Sequence, residues 1–183
     1  MLNEIVKQAV EAASSGKPSL AIRKVLENSM SERSTLSAEI AAQPEDEILL
    51  FEDETCSIWT CRYDPDVVLP PHEHLMSVHI AVYSGTEMEV LYHRDKNTLR
   101  HANNKMITEG EVVSLEPDVV HAVTAEGDGL SHALHIYEGP LTQVKRSLFD
   151  WTSGNKVEFT MDNFRAMQRK RSEFEKPSVD SCE

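Results

Sequence analysis

A chain of 183 residues, 40% apolar and 27% charged, has the size and composition of one globular domain with a sizeable core and some appended helix. Its 31 acidic against 18 basic residues leave a net charge of −13, which argues against a nucleic-acid surface built on phosphate contacts but says little about the charge inside a pocket. No run reaches the roughly 18 apolar residues of a membrane span, and the opening MLNEIVKQAVEAASSGK lacks the basic start and unbroken apolar run of a secretory leader.

Along the chain, Leu2, Ile5, Val6 and Ala9 recur at helical spacing. Gly16-Lys17-Pro18 breaks that pattern. A second apolar stripe follows at Ile22, Val25 and Leu26, and a third at Leu36 and Ile40, before Pro44 closes a helical extension of residues 1–44. Such stripes are expected to pack on a core rather than to bind a partner.

From residue 47 the period changes. The runs EILLFE, CSIWTCRY, VHIAVY, EMEVLYH, EVVSLE, VVHAVTA and HALHIYE are short and rich in β-branched and aromatic residues. Turn formers separate them: Asp64-Pro65-Asp66, Ser84-Gly85, Asn103-Asn104, Glu109-Gly110 and the stretch 126–129. Short strands at this spacing predict an all-β sandwich or barrel over residues 45–160. Residues 161–173 read as helix again, with Phe164 and Met167 on one side, and a loose tail completes the segment 161–183. The three segments make one domain.

Cys56 and Cys61 are five apart, so one regular strand would point them to opposite faces. Neither a disulfide nor a shared metal is expected of them. With Cys182 they are isolated thiols in an acidic chain, which suggests a reducing cytoplasm.

Three of the eight histidines fall in LPPHEHLMSVHIAVYSG. His72 and His74, two apart, share one face of a strand, close enough to share an ion, and point Glu73 away. A neutral imidazole suits iron, zinc, copper or nickel. A third candidate, His121, comes in GEVVSLEPDVVHAV, eleven positions after Gly110. His93 and His101 sit in a polar hairpin and are expected to face solvent, and His132 the outer face of its sheet.

These two segments resemble the two motifs of the cupin superfamily. That resemblance implies a double-stranded β-helix, or jelly roll, with helices at both ends, and it makes His72, His74 and His121 metal ligands. The match departs from the pattern at Asp66 and Asp118, where glycines are usual, and at His79, where the first motif has Glu. Three histidines without the Glu resemble the cysteine dioxygenase-like, or thiol dioxygenase, family. That family has a Ser-x-His-x-Tyr strand after the third metal histidine; here ALHIY gives Ala133, His135 and Tyr137. A bacterial branch carries an arginine eleven residues after that histidine, and Arg146 stands there.

The resemblance implies Fe(II), with nickel or zinc as alternatives. It implies a substrate carboxylate fixed by Arg146 through two charge-assisted hydrogen bonds, and Tyr137, held by His135, donating to substrate or dioxygen. The partners expected are a small thiol carboxylate and O2, with no nucleic acid and no membrane, and a homodimer is left open. His79 has three open readings: a fourth ligand, a group beside the open metal face, or a histidine packed above the site. Two other functions compete: a three-histidine cupin dioxygenase cleaving a carbon–carbon bond, and a metal-binding or sensing cupin without catalysis.

Overall fold

A computed structural model of the chain describes residues 1–95 and 98–174; the tail expected from Glu175 onward, with Cys182, lies outside them. The three apolar stripes form α1 (Leu2–Ala13), α2 (Pro18–Ser29) and α3 (Arg33–Ala41). Pro18 opens α2 at a position where its missing N–H has no intrahelical partner to lose.

The barrel strands follow: β1 (Glu47–Glu52), β2 (Ser57–Tyr63), β3 (Val67–Val68), β4 (His72–Glu73), β5 (Val78–Ser84), β6 (Thr86–Asp95), β7 (Thr98–Thr108), β8 (Val112–Leu115), β9 (Val120–Ala125) and β10 (Ser131–Tyr137). Four antiparallel pairings are nested: β6 with β7, β5 with β8, β4 with β9 and β2 with β10. This is one long two-chain hairpin wound on itself, a double-stranded β-helix. Winding divides it into a sheet of order β1-β2-β10-β5-β8 and a sheet of six. The second runs β12-β11-β4-β9-β6-β7, extended by β11 (Ser147–Phe149) and β12 (Lys156–Glu158).

The helices cover the outer face of the five-stranded sheet. Ile22, Leu26, Leu36 and Ile40 are fully buried against Ile58, Ala81, Tyr83, Leu134 and Ile136, and the Tyr83 hydroxyl shares a buried hydrogen bond of 2.8 Å with Ser29 of α2. The stripes therefore belong to the core. Leu26→Ala should cost about 2–5 kcal/mol, read as a lower midpoint in urea unfolding; a loss under about 0.5 kcal/mol, the usual size for a surface site, would mean that the helices are not part of the folding unit.

Two expectations are corrected. Asn103-Asn104 is not a turn: both lie inside β7, opposite Leu91 and Val90, and a register shift between Leu91 and Tyr92 absorbs one residue. β7 is an edge strand with mostly exposed side chains, so asparagines sit there without burying an amide. The helix expected over residues 161–173 is interrupted and resumes as a short helix at Arg171–Phe174. After α4 (Met161–Ala166), Arg169–Lys170 form β13 and pair with β3, because Phe164 and Met167 are already packed in the apolar cluster around Leu69 and Leu148.

Cys56 packs with the helices and Cys61 inside the barrel, both as free thiols. Among the described residues no helix is long and apolar enough to cross a membrane.

Candidate metal centre

His72 on β4 stands directly opposite His121 on β9, with ring centroids 4.4 Å apart. His74 lies just beyond β4, and Leu75 after it turns the chain through a left-handed conformation, φ 60°. The His74 ring is 4.7 Å from His72 and 5.0 Å from His121. One nitrogen from each of the three rings lies within 4.8 Å of the others. Ligands bound to one ion at about 2.0–2.1 Å stand roughly 3–4 Å apart, so small ring rotations bring all three onto one ion.

The surroundings set the tautomers of two rings. His72 Nδ1–H donates to the Pro70 carbonyl at 2.9 Å, which leaves Nε2 as a bare acceptor. His121 Nδ1–H donates to the buried carboxylate of Glu89, the carboxylate–imidazole arrangement that orients metal-binding histidines. His121 Nε2 then faces His74 Nε2 at 2.8 Å. Two lone pairs at that distance repel, and a shared proton or a shared cation relieves the contact. The bare Nε2 of His72 beside them favours the cation. Burial, reinforced by the neighbouring imidazoles, holds His72 and His74 well below the ordinary histidine pKa. Both are therefore neutral, the form that ligates. The residues fit a divalent metal with an affinity for imidazole nitrogen.

His79 does not join this group. It lies on β5 with Ala81 and Tyr83, on the face turned to the helices, while Val78, Ile80 and Val82 face the interior. Both its ring nitrogens are engaged at 2.7 Å, Nδ1 with Ser114 and Nε2 with Glu138. The reading of His79 as a fourth ligand is thus corrected: the period of two on β5 carries it to the other side of the sheet. Glu73 points away, to Lys156 at 2.9 Å. His132 meets Ser37 of α3 on the outer face, and His93 and His101 are exposed.

The strand β10 lies across the barrel. Its inner residues Ala133, His135 and Tyr137 are all buried, and the Tyr137 ring is 4.8 Å from His74. Ala133 has no polar group to offer His135. Glu87 on β6 offers one instead, with a carboxylate oxygen 3.2 Å from His135 Nε2. On its other side, His135 Nδ1 lies 3.4 Å from the Tyr137 hydroxyl. Burial by itself would lower the His135 pKa, but anionic partners outweigh it and raise it well above the ordinary value. The acidic groups facing it are the Cys61 thiol, the Glu87 carboxyl and the Tyr137 phenol, and burial pushes each of these up in turn.

His72, His74, His121, His135 and Tyr137 border one cavity of about 530 Å³, walled by Trp59, Tyr63, Phe159 and Phe164. Arg146, expected from spacing alone, lines it too. Its guanidinium stacks 3.4 Å from the centroid of the Phe159 ring and forms no hydrogen bond or ion pair among the described residues. Three residues of the site carried no signal recognised in the sequence: Glu47, Glu87 and Glu89. The alternation of acid and apolar residues in TEMEV ordinarily turns the acids to solvent, which hid the last two.

No protein-family model matches the chain, and no curated protein does. Solved structures align with part of it. An RmlC-like cupin family protein with a double-stranded β-helix fold from Methanocaldococcus jannaschii aligns with 55% of this chain and 88% of its own, at 12% identity and a TM-score of 0.44. A protein from Bacillus halodurans aligns over 57% and 77%, at 15% identity and a TM-score of 0.48. A DMSP lyase from Ruegeria pomeroyi aligns over 52% and 44%, at 14% identity and a TM-score of 0.42, so this chain spans less than half of the lyase's length.

Proposed function

We propose that the protein is a metal-dependent dioxygenase, loaded with Fe(II), that oxidises a small thiol carboxylate to its sulfinate. The observation that carries this reading is the unpaired guanidinium of Arg146 in the same cavity as three convergent imidazoles. A charge partly withdrawn from water and left without a partner costs free energy. A ligand carboxylate would complete it, while a diketone or a bare metal cargo offers nothing to a planar cationic fork.

His72, His74 and His121 would hold the metal, and with no carboxylate among these ligands the site keeps its full 2+ charge. Iron(II) bound there supplies a place where a thiolate and dioxygen meet. The net change is balanced as thiol plus O2 giving sulfinic acid: the O–O bond breaks, two S–O bonds form, sulfur gives up four electrons and dioxygen takes them. The chain's own part is positioning. Arg146 holds the substrate carboxylate, the aromatic walls limit access of water, and Tyr137, 4.8 Å from His74, presents a neutral hydroxyl as a hydrogen-bond donor. Glu87 and His135 hold that tyrosine from behind.

Oxygen uptake by the iron-loaded protein with a panel of thiols tests the reading. One O2 consumed per thiol acid, with the product gaining both oxygen atoms by mass spectrometry, is the expected result. Uptake that gives disulfide and peroxide instead, or no uptake from any thiol acid, would sink it.

A further inference from the structure

The cavity holds a second unpaired charge, of the opposite sign. Glu47 opens β1 directly opposite Cys61 on β2. Directly opposed residues on neighbouring strands project to the same face, so the Glu47 carboxylate lies on the interior side with Cys61, and it lines the same cavity as the imidazoles and Arg146. Its neighbour Asp46 is engaged, because Arg62 binds Asp46 and the Ala41 carbonyl, each at 2.9 Å. Glu47 has neither a hydrogen bond nor an ion pair among the described residues. His135 and Arg146 attract it across the cavity without touching it, while burial pushes its carboxyl up.

We propose that Glu47 is a specificity-determining residue that receives a cationic nitrogen of the ligand, so that the cavity selects a zwitterion, with its carboxylate on Arg146 and its cation on Glu47. The assignment rests on the reading above for the place of the thiol. Its physical basis is complementarity of charge within one cavity. A mercapto acid without a cation brings a thiolate and a carboxylate toward an already unpaired Glu47, and that repulsion counts against it. An amino thiol acid supplies one positive charge to a carboxylate that otherwise has no partner, and a charge-assisted bond forms where none existed. Asp46 does not take this role, because Arg62 already occupies it.

L-Cysteine and 3-mercaptopropionate differ only in the α-ammonium group and make the cleanest pair of probes. Binding of each to the iron-loaded protein is measured by calorimetry without oxygen, so that no turnover is needed. The wild type should bind L-cysteine at least about tenfold more tightly, the size of one charged hydrogen bond. Glu47→Gln should bring the two within about threefold of each other, and Glu47→Asp, which keeps the charge on a shorter stem, should retain part of the preference. Equal binding by the wild type, or a wild-type preference surviving in Glu47→Gln, would overturn the proposal; the second result would place the amine elsewhere, for instance on the metal. The two readings fail separately. A preference that tracks Glu47 without any oxygen uptake removes the dioxygenase and keeps the zwitterion site. Thiol oxidation with no such preference does the reverse.

Discussion

His74→Ala is expected to leave the purified protein with well under one equivalent of metal after dialysis, where the wild type holds close to one. Only His72, His74 and His121 converge among the described residues, and the carboxylate beside them, Glu89, is engaged with the outer nitrogen of His121. Removing even a group that merely orients a ligand typically costs about 10–100-fold in metal affinity, and removing one ligand of three should cost more, since both charge donation and geometry fail. Alanine also opens space against the Tyr137 ring, 4.8 Å away, for water rather than for another donor. Elemental analysis reads the result. The matched control is His79→Ala, which should keep its metal because Ser114 and Glu138 hold that ring on the far face of the sheet. Wild-type occupancy in His74→Ala would remove the site assignment, and loss of metal in His79→Ala alone would mean that the wrong histidines had been chosen.

That control turns on the one histidine whose side the sequence left open. Most of the barrel was legible because its strands alternate: EILLFE and HALHIYE appear as β1 and β10 almost residue for residue. The three-histidine cluster was legible because H-x-H and the later His121 are brought together by one pairing, β4 with β9. His79 was harder. Its side depends on where the turn after His74 ends and β5 begins, and a shift of one residue moves every side chain to the other face.

The carboxylates Glu87 and Glu89 were missed for a related reason. Alternating acid and apolar residues ordinarily mean acid outward to solvent. β6 inverts this, because Met88 and Val90 pack outward beneath Trp151 and Phe174 while the two carboxylates face in toward His135 and His121. No local pattern reveals that a second layer covers that outer face. Glu47 was hidden differently, as the last acid of the run PEDE, which reads as a solvated loop. The short strands β3, β4, β11 and β13 escape any period, being two or three residues held by their neighbours.

Arg146→Lys should lower kcat/KM for the thiol acid by at least about tenfold while leaving metal content unchanged. The native guanidinium lies flat on Phe159, 3.4 Å from its centroid, which fixes the plane of the fork before a ligand arrives. Two parallel hydrogen bonds to a carboxylate follow from that orientation. Lysine keeps the charge but loses the plane, the stacking and one of the two bonds. A hydrogen bond to a charged group contributes about 1.5–3 kcal/mol, and about 1.4 kcal/mol is a factor of ten, so losing one of the pair predicts a fall of about ten- to a hundredfold. Burial lowers the arginine pKa somewhat, yet a guanidinium starts far above neutrality, so its charge is retained in the cavity. A thiol that carries no carboxylate has no use for the fork; it should be a poor substrate for the wild type and nearly indifferent to the substitution. Steady-state rates with a matched pair of thiols separate the cases. If Arg146→Lys oxidised thiol acids as the wild type does, the guanidinium would have no part in binding, and the non-enzymatic or carbon–carbon-cleaving reading of the three-histidine centre would move ahead.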